Sequence, residues 1–349
     1  MCAAFAENGH AVTLFAHPFQ GAQDIFGNYS VKQSFDLCLL PRLKIPVFWN
    51  FFYVRSILRT LRKMPHPDIF YGRYVYALSA CVDRYPHAGL VYESHYLPPN
   101  RFQYSVEKCL FSRKNFAALV VISDVLKQDY LAAFPGLSAE KIIVAHDGAD
   151  PGKAEDNRET VLRSAPGRLK IGYAGKLSTG KGMAVIGALA ALCPDKDFHI
   201  FGGWPGEVEC WRKRISAANV FFHGHLPHGR LPGFYRQMDI LLAPLQRANS
   251  VGKNYDIGRW TSPLKIFEYM AYAKPIIASD LPTLREIIRD GENGLLVNPE
   301  DPQAWQDAIN RLASDSALAQ RIGARAAADL EEKYAWRVRA QNVLKKACP

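Results

Sequence analysis

With 349 residues, 48% of them hydrophobic and 22% charged, the chain has the make-up of a soluble globular protein with room for two ordinary domains. Its formal charge of +10 favours anionic partners such as nucleotide phosphates or an acidic membrane face, while the lack of any helix-turn-helix, zinc-finger or RNP-type motif argues against nucleic acid. No apolar run is long enough to cross a membrane and no signal peptide opens the chain. The seven cysteines form no C-x-x-C pair, which suits the reduced thiols of a cytoplasmic protein.

Residues 1–7 read as the end of an amphipathic helix, leaving through Asn8-Gly9-His10 into a strand, AVTLFA. A doubly wound domain normally begins with a strand and a glycine-rich turn before its first helix. The first strand of this domain is therefore expected to be missing from the sequence. Residues 37–64 carry Arg42, Lys44, Arg55, Arg59, Arg62 and Lys63 among Phe48, Trp49, Phe51, Phe52 and Tyr53. One reading is a half-buried helix with a solvated basic side, which we favour. The other is peripheral contact with an anionic membrane face.

Strand and helix patterns then alternate. Strand PDIFYGR is followed by a helix at 75–84, strand GLVYES, a helix at 101–114, strand AALVVIS, a helix opened by Ser123, and strand KIIVAH. Such alternation predicts a parallel sheet covered on both faces, with ligands at the carboxyl ends of the strands. Glu93 and His95 in VYESHYLPP fall at such an end. A lone histidine there is either a satisfied structural residue or part of a site.

Residues 151–167 are polar, lose the apolar period and read as a linker. A second alternating set begins with strand LKIGYAG, and Gly175 opens a loop carrying Lys176 and Lys181. Two cations after a buried strand would neutralise a diphosphate; otherwise they are solvated loop lysines. The loop lacks the G-x-x-x-x-G-K-[ST] spacing, and no G-x-G-x-x-G occurs, which argues against a nicotinamide-dependent oxidoreductase. His223, His225 and His228 lie close in sequence without a companion cysteine or carboxylate cluster, so no metal site is expected.

The most informative stretch is 261–280, TSPLKIFEYMAYAKPIIASD. Ser262 reads as a helix cap and Pro263 as the first helical residue, with Lys265 and Glu268 on one face and PIIAS as a buried strand. The free amides at Ser262 and Leu264, with the lysine and the carboxylate, suit a diphosphate and a sugar hydroxyl. An ordinary helix with a surface Lys-Glu pair is the alternative. Beyond it come a helix at 284–289, a turn at Asn293-Gly294, a strand, a helix capped by Asp301, and final helices over 318–346.

SPLKIFEYMAYAKPIIASD resembles the donor-site signature of retaining glycosyltransferases of family 4, and the likeness extends over nearly the whole chain. The resemblance implies an α/β GT-B architecture: two Rossmann-like doubly wound domains facing across a cleft. Residues 1–150 would form the acceptor-side domain, 151–167 the linker and 168–330 the nucleotide-sugar domain, with 331–349 a helix returning to the first. It implies transfer from a nucleotide-diphosphate sugar to a glycan, lipid-linked or other hydroxyl acceptor, with retention and with neither metal nor cofactor.

By the same resemblance Lys176 and Lys181 hold the departing diphosphate with Ser262, Leu264 and Lys265, and Glu268 accepts from ribose. Leu226 lies near the base, and His95 and Glu93 serve the acceptor side as catalytic residues. Trp260 stands where the family usually keeps a first glutamate. A sugar-nucleotide epimerase of the same architecture, or an inactive sugar-nucleotide-binding remnant, would share the donor residues.

Overall fold

The computed structural model describes residues 1–18, 25–28, 31–41, 49–152, 162, 164–247, 258–260 and 262–347. Most of the predicted linker, most of the stretch before Trp260, and Arg42, Lys44 and Phe48 of the basic segment lie outside these. The chain forms two compact units, one of residues 1–27, 31–146 and 339–349, the other of 28–30 and 147–338. Among the described residues no helix is long and apolar enough to cross a membrane.

The first unit contains two parallel sheets. Strands β1 (Thr13–Ala16) and β2 (Asp36–Leu39) pair with each other. Strands β3 (Ile69–Gly72), β4 (Gly89–Ser94), β5 (Phe116–Val121) and β6 (Ile142–Val144) lie side by side in chain order. Val91, Val120 and Ile143 are buried, as apolar β-branched residues in a sheet covered by helices should be. Ser123 caps the helix Asp124–Ala133, its hydroxyl accepting from the Leu126 amide, a contact worth about 1 kcal/mol. Val343 and Ala347 of the last helix, Trp336–Ala347, pack against Val91, Ala118 and Val120.

The helix Trp49–Leu61 explains the basic segment. Tyr53, Ile57 and Leu61, four residues apart, enter a core with Leu40, Cys81 and Tyr85, while Arg55 and Arg59 point to solvent. This is the half-buried helix with a wet basic side. Among the described side chains of this helix the large apolar exception is Phe51, 61% exposed on the solvent side.

The second unit is a six-stranded parallel sheet of β7 (Lys170–Ala174), β8 (Asp197–Phe201), β9 (Val220–Gly224), β10 (Ile240–Ala243), β11 (Ile276–Ser279) and β12 (Leu295–Val297). Its spatial order is β12-β11-β10-β7-β8-β9, the doubly wound dinucleotide-fold order. The chain leaves β7 in one direction for β8 and β9, then returns to the other side of β7 for β10. The first strand of each half, β7 and β10, therefore meet as neighbours, and a crevice is left at their carboxyl ends.

Several elements differ from their predicted bounds. Pro282 starts a helix at Pro282–Arg285, earlier and shorter than 284–289, because proline at the first helical position sets the start. Asp301 caps the helix Pro302–Ser314 as expected, accepting from the Gln303 and Ala304 amides.

Candidate active site

The crevice between β7 and β10 is filled from one side by the loop that follows β7. Gly175 opens it, donating its amide to the Phe201 carbonyl at the end of β8 (2.9 Å). The Tyr173 hydroxyl donates to the Lys176 carbonyl (2.7 Å) and the Trp211 indole to the Leu177 carbonyl (2.8 Å). The far end is tied to the segment after β10, where the Gln246 amide donates to the Gly180 carbonyl (3.0 Å). Gly182 has φ +90°, and a Cβ there would stand 2.1 Å from the Pro244 carbonyl oxygen, so only glycine fits. The Lys176 and Lys181 backbone is thus fixed over the switch point before any ligand arrives.

From the other side comes the helix Leu264–Met270. Ile266, Phe267, Tyr269 and Met270 are fully buried, each worth roughly 1.5–3 kcal/mol against exposure. The helix begins one residue later than predicted. Pro263 occupies the cap position in extended conformation and offers no side-chain oxygen to the first turn. The Ser262 hydroxyl, expected to cap, instead accepts from the Asp147 amide (3.1 Å) and is buried there. The exposed Leu264 opens the helix.

Lys265 and Glu268 share a face as predicted, but they are not a surface pair. The Lys265 side chain runs back over the end of β7, placing Nζ 3.8 Å from the Tyr173 ring centroid. It approaches Gly175 so closely that a Cβ there would lie 2.8 Å from Nζ. This amine is buried and has no hydrogen-bond partner among the described residues. Burial, then the charge of Lys181, lower its pKa to about 7 against a smaller upward pull from Glu268. Burial and then the Lys176 charge lower Lys181 as well. Three amines therefore feel one another around the end of β7.

Glu268 accepts from the Tyr235 hydroxyl (2.6 Å), and its other oxygen lies 3.9 Å from His228 Nδ1. Leu226 packs, partly buried, at the rim of the core that holds Phe201, Phe234 and Tyr235. Trp260 is buried, so the place of the usual first glutamate is taken by an apolar ring. The three neighbouring histidines go separate ways. His223 stacks on Phe201 with Nε2 3.1 Å from His199 Nδ1, His225 stacks on Trp204, and His228 sits by Glu268.

In the first unit, Glu93 lies one residue from the end of β4 and is 4% exposed. It accepts from Tyr71, from His95 Nε2 (2.7 Å) and from Arg339 Nη1 (3.2 Å). Burial pushes this carboxyl up, but the His95 hydrogen bond and the Arg339 charge outweigh it, and the net pKa lies below the usual range. The structure brings together Lys176, Lys181 and Lys265 in one unit, and Glu93 and His95 in the other. Tyr173, Tyr235, Arg73 and Arg339, which support them, carry no signal in sequence spacing.

Two Rossmann-like units of this kind, one with cations gathered at its switch point, are the GT-B class of architecture. Residues 1–153 match the family described as Glycosyltransferase Family 4, and residues 168–315 match that described as Glycosyl transferases group 1. The chain belongs to glycosyltransferase family 4. It is 24% identical to alpha-maltose-1-phosphate synthase of Mycolicibacterium smegmatis over 65% of this chain and 62% of that protein. Across the first curated relatives it spans 49% to 62% of their length. The fold matches sucrose-phosphate synthase from Thermosynechococcus elongatus at TM-score 0.73 and 18% identity, covering 99% of this chain and 90% of that one. It also matches Anabaena HepE in complex with UDP and glucose at TM-score 0.70 and 17% identity, covering 99% and 94%.

Proposed function

We infer that this protein moves a glycosyl group from a nucleoside-diphosphate sugar to a hydroxyl acceptor, a glycan or lipid-linked saccharide, with retention at the anomeric carbon. The observation that carries this reading is the buried Lys265 amine. A buried amine without a hydrogen-bond partner is costly, and this one stands at a doubly wound switch point beside two more lysines, its pKa lowered chiefly by burial to about 7, where a bound anion would favour the charged form. A pyrophosphoryl group would satisfy all three.

In the reaction, the bond from the anomeric carbon to the β-phosphate oxygen breaks. The acceptor oxygen bonds to that carbon on the same face, and the hydroxyl proton passes to the departing diphosphate oxygen. Charge grows on the departing diphosphate, where Lys181, Lys265 and the amides from Leu264 can stabilise it, while the exposed Lys176 helps to hold the bound diphosphate. The Ser262 hydroxyl accepts from the Asp147 amide and keeps its own O–H to donate, so Ser262 can contribute both backbone and side chain. Glu268, oriented by Tyr235, serves the ribose, Leu226 borders the base, and Glu93 and His95 belong to the acceptor side.

A panel of UDP-, GDP- and ADP-sugars, followed by thermal melting with and without EDTA, tests the donor assignment. HepE, solved with UDP and glucose, makes UDP-glucose the first choice. A ligand at 100 times its dissociation constant adds about 2.7 kcal/mol. One of the three nucleotides is expected to raise the melt equally in both buffers, and no shift with any of them would remove the assignment.

A lipid-linked acceptor would also give the exposed Phe51 a purpose, since Arg55 and Arg59 flank it on the same helix. Peripheral contact of this kind predicts sedimentation with phosphatidylglycerol vesicles but not with phosphatidylcholine vesicles, and its loss in a Phe51→Ser, Arg55→Glu variant. Equal sedimentation of wild type and variant would exclude that contact.

A further inference from the structure

The first unit holds a chain of four charged or ionisable groups that both family matches leave incomplete, because the matches end at residues 153 and 315. It begins at Arg339 in the last helix. Arg339 Nε donates to the His146 carbonyl (2.7 Å), Nη2 to the Ala145 carbonyl (3.0 Å), and Nη1 to Glu93 Oε2 (3.2 Å) and the Tyr71 hydroxyl (3.4 Å). Glu93 Oε1 then meets His95 Nε2 (2.7 Å), and Arg73 Nη2 meets His95 Nδ1 (2.9 Å).

The direction of each bond can be deduced. A guanidinium has five N–H donors and no acceptor, and it does not lose its charge in proteins. The contact with Arg73 therefore requires His95 Nδ1 to accept, which only an imidazole without a proton on that nitrogen can do. The remaining ring proton must then sit on Nε2, where it donates to Glu93 Oε1. That oxygen belongs to a carboxylate kept ionised by its Arg339 neighbour. Each of these contacts then pairs a donor with an acceptor, and in the opposite tautomer two contacts fail together: donor would face donor at Arg73, and lone pair would face carboxylate at Glu93.

We propose that Arg73 and Arg339 are positioning residues that hold His95 as a neutral imidazole protonated on Nε2, so that His95 serves the acceptor side as a fixed ring and not as the group that takes a proton. Arg339 acts through Glu93, locking its carboxylate from beneath. Arg73, on the exposed side of the ring, fixes the tautomer directly. The catalytic part of this statement rests on the glycosyl-transfer reading; the tautomer does not.

Nitrogen-15 NMR of the full chain labelled at histidine separates the two. The His95 signals are identified by their loss in His95→Gln, and long-range couplings then show which ring nitrogen bears the proton. The wild type is expected to show an unprotonated Nδ1 and a protonated Nε2. Arg73→Ala, whose side chain is exposed and not part of the core, is expected to give a mixture of tautomers, reversed by added guanidinium ion. Arg339→Lys is expected to disturb the same signals through Glu93.

With UDP-glucose as probe, Arg73→Ala should lower kcat by about 10-fold with little change in donor KM, as loss of orientation does. A proton on Nδ1 in the wild type, or ring signals unchanged in Arg73→Ala, would overturn the proposal. Tautomers as expected but no turnover of any donor would leave the lock standing and sink only the transfer reading.

Discussion

Replacing Lys265 by methionine is expected to raise the melting temperature of the free protein while lowering turnover by at least about 100-fold, the scale of losing one charge-stabilising donor. The two effects have opposite signs because the same burial causes both. In the free protein the Lys265 amine is out of water, over the Tyr173 ring, without a hydrogen-bond partner among the described residues. A methionine of similar length keeps the packing and removes the cation, and exchanging a poorly compensated buried charge for an apolar isostere is commonly stabilising. With the proposed donor bound, the same exchange would leave a diphosphate oxygen facing a thioether.

The pH dependence of this gain follows from the direction of the shift. Lys265 is lowered from 10.5 to about 7 in the folded chain, chiefly by burial. Between those values the unfolded chain holds a proton that the folded chain has released. Wild-type stability therefore rises with pH across that window, and the methionine variant lacks this contribution. Its melting advantage should be full at pH 7 and below and should shrink as pH approaches 10.5. Donor binding should run the other way, because a diphosphate favours the protonated amine. Above about pH 7 the wild type should take up a proton with UDP and bind it more weakly as pH rises. Calorimetric titration with UDP in buffers of different ionisation enthalpy measures the uptake. Equal UDP affinity in Lys265→Met and wild type would dispose of the amine's role.

How far the sequence could be read depended on distance along the chain. Alternation of apolar runs located the strands, and local side-chain caps at Ser123 and Asp301 were visible because the donors lie two or three residues away. Ser262 followed the same local rule and misled, since its partner is the Asp147 amide, 115 residues upstream. The spacing of Lys265 and Glu268 correctly put them on one helical face. It gave no sign that the lysine would be buried, because helical side chains lean toward the N-terminus and what lies there is the end of β7, brought in by sheet order. Arg339 and Glu93 are separated by 246 residues, and no periodicity links an arginine in the last helix to a carboxylate at a strand end. The short strand Asp36–Leu39 escaped notice because its apolar residues run straight into the basic, aromatic segment that begins at residue 37.

Lys181→Ala is expected to reduce kcat by at least about 100-fold while changing donor KM much less, whereas Lys176→Ala should act mainly on KM. The distinction comes from exposure. Lys176 is in solvent, where an ion pair with a phosphate contributes little and holds the ground state and the transition state alike. Lys181 is half-buried, and its pKa is lowered by burial and then by the Lys176 charge, so its interaction with charge arriving on the diphosphate is less screened. Its backbone is also fixed in advance, with its amide on the Ser178 carbonyl (3.2 Å), Gly180 held by Gln246, and Gly182 wedged against Pro244. An amine held in place before the bond breaks need not be reorganised as it breaks, which is how such groups lower a barrier. Steady-state release of UDP from UDP-glucose, measured for both alanine variants and for Lys181→Arg, separates charge from position. Arginine keeps the charge but carries it on a longer, planar group, so it should recover binding more than rate. A Lys181→Ala enzyme with unchanged kcat would show that the leaving charge is met elsewhere.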